Sequence, residues 1–271
     1  MPVPVTEEER SSPLFKYFER EIRPVPKETA DRILACDFAP GGGLHPLEMD
    51  RLFDDGYLPG EFGIWVLEDG GLMIANHVDM PGVTPEMFDW WFAWHGLDSL
   101  RYKIWNRDEH YYVQSQNVAQ NLDESLSMKE RYRNTTHAIK ESLLPDQPPV
   151  DVRLTFLPPE KVGFSPEKLR EFKGTIVCTG GMSIMVHFIR PTENGCELRT
   201  RFWIGYSAVE GKVAKMPGFT ADPRMGTAFL LHNVKEFTHL AEILPGVYAE
   251  FKDDFRVPPF HDPALEGGIS Q

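Results

Sequence analysis

Thr227-Ala228-Phe229-Leu230-Leu231-His232-Asn233-Val234-Lys235-Glu236-Phe237-Thr238-His239-Leu240-Ala241-Glu242-Ile243-Leu244 is a long run with helical period near the end of the chain. Phe229, Leu240 and Ile243 fall on one stripe at spacings of three and four, and His232 and Glu236 lie within that stripe. A histidine and a carboxylate four residues apart stand one above the other on a helix, about 6 Å between Cβ atoms, close enough to hold one divalent cation. An exposed polar pair is the alternative for any such spacing. Set within an apolar face, however, the pair must be satisfied by something. The helix is read from about Thr227 to Leu244, broken or bent at Pro245-Gly246, with a continuation toward Phe251.

Upstream of this helix, strands dominate. Asn134 to Leu143, Asp151 to Phe156, Gly174 to Cys178, Met182 to Ile189 and Cys196 to Tyr206 carry β-branched or aromatic residues between turn signals, with Glu193-Asn194-Gly195 as a hairpin turn. Gly63 to Leu67 and Leu72 to Val78, joined by Glu68-Asp69-Gly70-Gly71, form another hairpin. Thr84 caps a helix that starts at Pro85 and carries Phe88, Trp90, Trp91, Phe92 and Trp94 most of the way round, so it is expected to be buried on more than one side. Leu97 to Arg133 is irregular and polar, a length at which a loop is usually functional. The first 60 residues are Pro-punctuated, with short helical patterns and turns at Ala39 to Gly43 and Leu58-Pro59-Gly60. The order predicts an α+β fold: a sheet wrapped around the last helix in residues 61–271, after a small, mostly helical N-terminal unit in residues 1–60.

Composition narrows the function. The chain has 271 residues, enough for one large domain with a sizeable core, and 41 acidic against 28 basic residues give a net charge of −13. A phosphate backbone or anionic membrane would be repelled, so no nucleic acid and no membrane partner is expected. Cys36, Cys178 and Cys196 are odd in number and far apart, which argues against a disulfide framework or a cysteine zinc knuckle. The start has no secretory signal pattern and no apolar run approaches a membrane span, pointing to a cytoplasmic protein.

Two ligands on one helix leave a metal short of protein groups. In Thr135 to Glu141 the period of two puts His137, Ile139 and Glu141 on one strand face, where a glutamate calls for a partner. Between Trp94 and Tyr112, either His95 or His110 is available to coordinate, and the pattern does not choose between them.

Met80-Pro81-Gly82-Val83-Thr84-Pro85-Glu86-Met87-Phe88-Asp89-Trp90-Trp91-Phe92, Trp94-His95-Gly96, Arg101-Tyr102-Lys103-Ile104-Trp105, Asp108-Glu109-His110, Thr136 to Glu141 and His232 to Phe237 resemble the 2,4-diacetylphloroglucinol hydrolases and related phloretin hydrolases, in order from Gly63 to Phe251. The resemblance implies a Zn2+ enzyme that hydrolyses the carbon–carbon bond between an acyl group and a polyhydroxylated aromatic ring, on a Bet v 1/START-like helix-grip fold. It implies His110, Glu141, His232 and Glu236 as metal ligands, and Tyr102 as holder of a phenolic oxygen. One family asparagine shortly after the first histidine ligand has no counterpart, because Tyr111, Tyr112 and Val113 follow His110.

Such a reaction needs ring hydroxyls ortho and para to the acyl group, so that the ring carbon leaves as a stabilised enolate. His137 and His187 are candidates for acid/base work, and Trp91, Trp203 and Tyr206, with Tyr102, for the substrate wall. The partner is then a small phenolic ketone, and the N-terminal helical unit offers a contact for a possible homodimer. Two other classes compete: a non-catalytic carrier of phenolic ligands, and an iron-dependent oxygenase of phenolic rings.

Overall fold

The computed structural model describes residues 1–144, 147–181 and 183–258. Its centre is one antiparallel sheet of eight strands: β1 (Gly63–Val66), β2 (Leu72–Pro81), β3 (His110–Ser115), β4 (Thr136–Glu141), β5 (Val150–Leu157), β6 (Thr175–Thr179), β7 (Ser183–Thr192) and β8 (Gly195–Ile204), in the order β1-β2-β8-β7-β6-β5-β4-β3. β9 (Tyr206–Val209) and β10 (Lys212–Lys215) form a separate two-stranded ribbon. The expected α+β class is therefore observed, a large antiparallel sheet with a long C-terminal helix. Met182, where one strand was expected to begin, lies outside the described residues.

Alternation along the strands gives the sheet two buried faces. On one, Met80 of β2, Met185 and Ile189 of β7, and Leu198 of β8 pack with Phe237, Leu240, Ile243, Leu244 and Val247 of the terminal helix and with the tryptophan-rich helix Pro85–Trp94. On the other, Met73, Ala75, Ile184, Val186, Phe188 and Trp203 pack with Leu44, Met49 and Leu52 from the N-terminal region and with Val162 and Phe164. The first 60 residues thus split between the faces, since Val3, Leu14, Tyr17 and Phe18 join the helix side. Buried on the far face, Arg199 and Arg201 both donate to Glu61, at 2.6 and 2.7 Å, which drives that carboxyl down to about 2 against the opposing effect of burial.

The terminal helix runs from Pro223 to Phe251, starting earlier than the sequence pattern suggested, ending at the Phe251 it pointed to, and continuing through Pro245-Gly246 where a break or bend was expected. Asp222 caps it by accepting from Arg224 N, and Pro223 occupies its first turn, where a missing N–H costs nothing. Gly226 sits where a Cβ would meet Ile64 Cγ2 at 2.8 Å, so its place is set by close helix–strand approach. Pro245 lies inside the helix without ending it.

The largest departure is in residues 97–133. They contain helix Ser99–Lys103, strand β3, and helices Val118–Leu122 and Met128–Tyr132. β3 pairs with β4 through a bulge, with His110 opposite Glu141 and Tyr112 opposite Lys140, leaving Tyr111 as the extra residue. β5 and β6 share only the pairs Phe156↔Thr179 and Leu157↔Cys178, so the sheet divides into a β3–β5 wing and a larger wing. No helix among the described residues is long and apolar enough to cross a membrane.

Candidate metal centre

Three elements meet at one point. The β3–β4 register sets His110 directly opposite Glu141, and the terminal helix brings His232 and Glu236, one turn apart, against them. The two imidazole Nε2 atoms lie 3.4 Å apart. His110 Nε2 is 3.8 Å from Glu141 Oε2 and 3.6 Å from Glu236 Oε2, and His232 Nε2 is 3.9 and 3.7 Å from the same two oxygens. A tetrahedral ion with bonds of about 2.0–2.2 Å has donors spaced about 3.3–3.6 Å apart, close to the spacing of His110, His232 and Glu236, with Glu141 beside both imidazoles at 3.8 and 3.9 Å.

The hydrogen bonds behind the donors bear on what the centre could hold. His110 Nδ1 faces the Tyr102 carbonyl at 3.1 Å and His232 Nδ1 faces Glu109 Oε2 at 2.8 Å, both acceptors, so each ring carries its proton on Nδ1. Both Nε2 atoms therefore turn lone pairs toward each other and toward two carboxylate oxygens. Four electron-rich atoms so placed repel one another unless a cation lies between them, and two nitrogen and two oxygen donors suit zinc, iron or manganese. The residues fit the implied metal.

Without a cation, protonation reflects that crowding. Burial, with the Glu141 and Glu109 charges, pushes the Glu236 carboxyl up to about 8. Burial works against a charge on His232, but Glu236 and the Glu109 hydrogen bond outweigh it and raise the imidazole to about 9. His110, buried and beside His232, is held well below the usual histidine range. Tyr102 donates its hydroxyl to Glu141 Oε2 at 2.5 Å and stacks on the His110 ring, centroids 3.8 Å apart and 5° from parallel. Burial and the Glu141 charge hold its proton well beyond the usual phenol range.

Other expected residues lie elsewhere. His95 gives its Nδ1 to the Trp91 carbonyl at 2.8 Å and stacks between Trp91 and Tyr102, so it is not among the converging groups. His137 packs against His95 and Phe156, four residues and about 13 Å of strand from Glu141, with both ring nitrogens unpartnered among the described residues. His187 shares a hydrogen bond with Thr200 Oγ1 at 2.9 Å and lies 4.6 Å from the Phe237 ring, and burial lowers it to about 3. Trp203 and Tyr206, expected in the substrate wall, are on the far side of the sheet. Trp203 Nε1 donates to the Leu44 carbonyl, because odd-numbered positions of β8 point away from the terminal helix, and Tyr206, which begins β9, packs in the same far-side cluster with its hydroxyl donating to Asp69.

Sequence reasoning missed the residues that hold the ligands. Asn233 donates from Nδ2 to Glu236 Oε1 at 3.0 Å, and its Oδ1 accepts from Asn76 Nδ2 at 2.9 Å. Trp105 Nε1 donates to the Glu236 carbonyl, and its ring meets the His110 ring edge-on at 5.3 Å. Glu109 is gripped by Asn106 and Lys235. Glu109 and Asn233 adjoin ligands in sequence and were open to suspicion on that ground, whereas Asn76 gave no signal. A second group, His77, Asp79 and Glu197, also clusters. There Glu197 already accepts from Arg190 Nε at 2.5 Å and from the Tyr57 hydroxyl at 2.9 Å, so a guanidinium fills the cation's place.

Fold and side chains together bring to one buried point a group, His110, His232 and Glu236, that could hold a metal ion, between a long helix and paired strands. The family described as the DAPG hydrolase PhiG domain matches residues 44–249. The chain is 35% identical to the phloretin hydrolase of Eubacterium ramulus, over 93% of this chain and 95% of the relative. It is 28% identical to the 2,4-diacetylphloroglucinol hydrolase of Pseudomonas protegens, over 89% of this chain and 85% of the relative. The chain belongs to this hydrolase family, as the motifs between Gly63 and Phe251 suggested. A solution structure of the KanY protein covers 63% of the chain at 11% identity and a TM-score of 0.36, too loose a likeness to bear on the fold.

Proposed function

We propose that this protein is a zinc-dependent hydrolase that cleaves the carbon–carbon bond between an acyl group and a phloroglucinol-type ring, releasing a carboxylic acid. The observation that carries the reading is the convergence of His110, Glu141, His232 and Glu236 beside the Tyr102 hydroxyl. In this reading the sheet and terminal helix are a helix grip of the Bet v 1/START kind in residues 61–271, with residues 1–60 as a helical unit packed on it and offering any homodimer contact. The partner is a small phenolic ketone in the cytoplasm.

The overall change is addition of water across the aryl–acyl bond: the acyl carbon gains oxygen, the ring carbon gains hydrogen, and the electron pair of the broken bond stays with the ring as an enolate. A zinc ion in the centre supplies Lewis acidity toward the acyl oxygen or the water. Glu141 and Glu236 offset its charge, so proton transfer falls to neighbouring side chains. The single proton of Tyr102 is given to Glu141, which leaves the phenol oxygen free to accept from a ring hydroxyl and fix the ring's orientation. His187, neutral through burial, is a base on the helix-facing side of the sheet, with His137 as a second candidate deeper in the core. Trp91, stacked through His95 toward Tyr102, belongs to the aromatic wall behind the ring.

The test is incubation of the purified protein with phloretin and a panel of acylated phloroglucinols, with and without added zinc, and identification of the products. Release of the free phenol and the matching carboxylic acid, abolished by chelation, is expected. Binding without turnover would make the chain a carrier, and a requirement for oxygen would make it an oxygenase.

A further inference from the structure

Glu109 has no role in the reaction as drawn, yet it is 1% exposed and carries a full set of partners. Its Oε2 receives His232 Nδ1 at 2.8 Å and Asn106 Nδ2 at 2.7 Å, and its Oε1 receives the Lys235 ammonium. All three partners are donors. The chain thus spends a buried ion pair, with Lys235 half-buried on the same helix turn, on one edge of a ligand's ring. A buried pair of this kind is weak evidence for stability, which directs attention to what else it does.

We propose that Glu109 is a positioning residue that sets the tautomer of His232, holding the proton on Nδ1 so that the Nε2 lone pair is always presented to the metal, and that Lys235 keeps it an acceptor there. The inference rests on the metal-centre reading above. His110 is oriented by a backbone carbonyl, which no substitution removes. His232 sits on a helix whose own carbonyls are committed to its ladder, so its second nitrogen needs a side-chain acceptor, and only a group accepting from both sides satisfies His232, Asn106 and Lys235 together. An amide at position 109 satisfies one side only. Its oxygen would go to Lys235, since a bond to an ammonium is the stronger, and its NH2 would face His232 Nδ1. The imidazole would answer by moving its proton to Nε2 and closing that nitrogen to the metal.

The experiment measures zinc affinity of the full-length protein by competition with a chromophoric chelator, using zinc alone as the probe. Glu109→Gln is expected to bind zinc about 10- to 100-fold more weakly. Adding Lys235→Met removes the competing donor, lets the amide oxygen turn to His232, and is expected to recover most of that loss. A merely structural ion pair would behave the other way, because the second substitution strips out what remained of it. Glu109→Gln binding as tightly as the parent, or the double variant binding no better than the single, overturns the proposal. Should Glu109→Gln fail to fold, long-range proton–nitrogen NMR of the zinc-free parent should show a proton on His232 Nδ1, and a neutral His232 ring protonated on Nε2 alone overturns the proposal. Failure of the parent to bind zinc would instead sink the metal centre itself.

Discussion

Tyr102 joins two kinds of contact in one side chain. Its ring lies flat on His110, fixing one ligand by stacking, and its hydroxyl donates to Glu141, fixing another. Tyr102→Phe keeps the first contact and loses the second. With a buried hydrogen bond removed and a substrate hydroxyl left without its acceptor, kcat/KM is expected to fall by about 1–3 kcal/mol of transition-state stabilisation, roughly 5- to 150-fold, with zinc content unchanged. Steady-state kinetics beside metal analysis on the same preparation separates the two. Glu141→Gln should differ in kind, because it removes a charged donor atom: zinc content is expected to fall together with activity, and full zinc occupancy in that variant would remove Glu141 from the ligand set.

At the scale of elements, the terminal helix and the hairpins were legible because their periods are clean. Within the stripe, His232, Glu236, Leu240 and Ile243 face inward as their spacing indicates while Phe229 is only half-buried beside Leu230, and Asp69-Gly70-Gly71 turns β1 into β2. β3 was not legible. His110-Tyr111-Tyr112-Val113 carries a bulge at Tyr111 that breaks the alternation a strand is recognised by, and the bulge is what lets His110 stand opposite Glu141. The start of the terminal helix was missed for a related reason, since Gly226 reads as a breaker until Ile64 is seen beside it. Which face of β8 meets the helix is a tertiary fact, and with it went the placement of Trp203, while Tyr206 was misplaced because the strand ends at Ile204 and β9 begins at Tyr206 outside the main sheet. Two turns marked by glycine also meet: a Cβ on Gly60 would fall 1.7 Å from the Gly42 carbonyl oxygen. Gly60→Ala is therefore expected to destabilise by about 3 kcal/mol, the upper range for overpacking, measured as a lower urea midpoint. The Glu61 pair with Arg199 and Arg201 gives a pH-dependent counterpart. Its folded carboxyl titrates at about 2 against an ordinary value of 4.5, so its contribution is complete above about 4.5 and is lost as pH falls toward 2. Urea midpoints measured across that interval should fall with pH in the parent, and the Glu61→Gln variant, less stable by about 3–5 kcal/mol above that interval, should lack that part of the slope, so that the difference narrows as pH falls toward 2.

Across the whole molecule, the sheet wing β3–β5 and the terminal helix are separate elements that meet at His110, Glu141, His232 and Glu236, so a cation held there would link the two. Binding that favours only the folded state adds about 2.7 kcal/mol when free metal stands at 100 times its Kd. Chelation is expected to lower Tm, with the loss restored by zinc and absent in a His110→Ala variant, as calorimetry can record. The net charge of −13 works in the same direction, since an acidic surface draws divalent cations toward the centre. The most direct measurement is X-ray absorption at the zinc edge on protein reconstituted with one equivalent of metal. Two imidazoles and two carboxylates on a single ion, with no sulfur, are expected, and the imidazole signal should drop by half in His232→Ala. Zinc held through sulfur, or an imidazole signal untouched by that substitution, would contradict the centre built from His110, Glu141, His232 and Glu236.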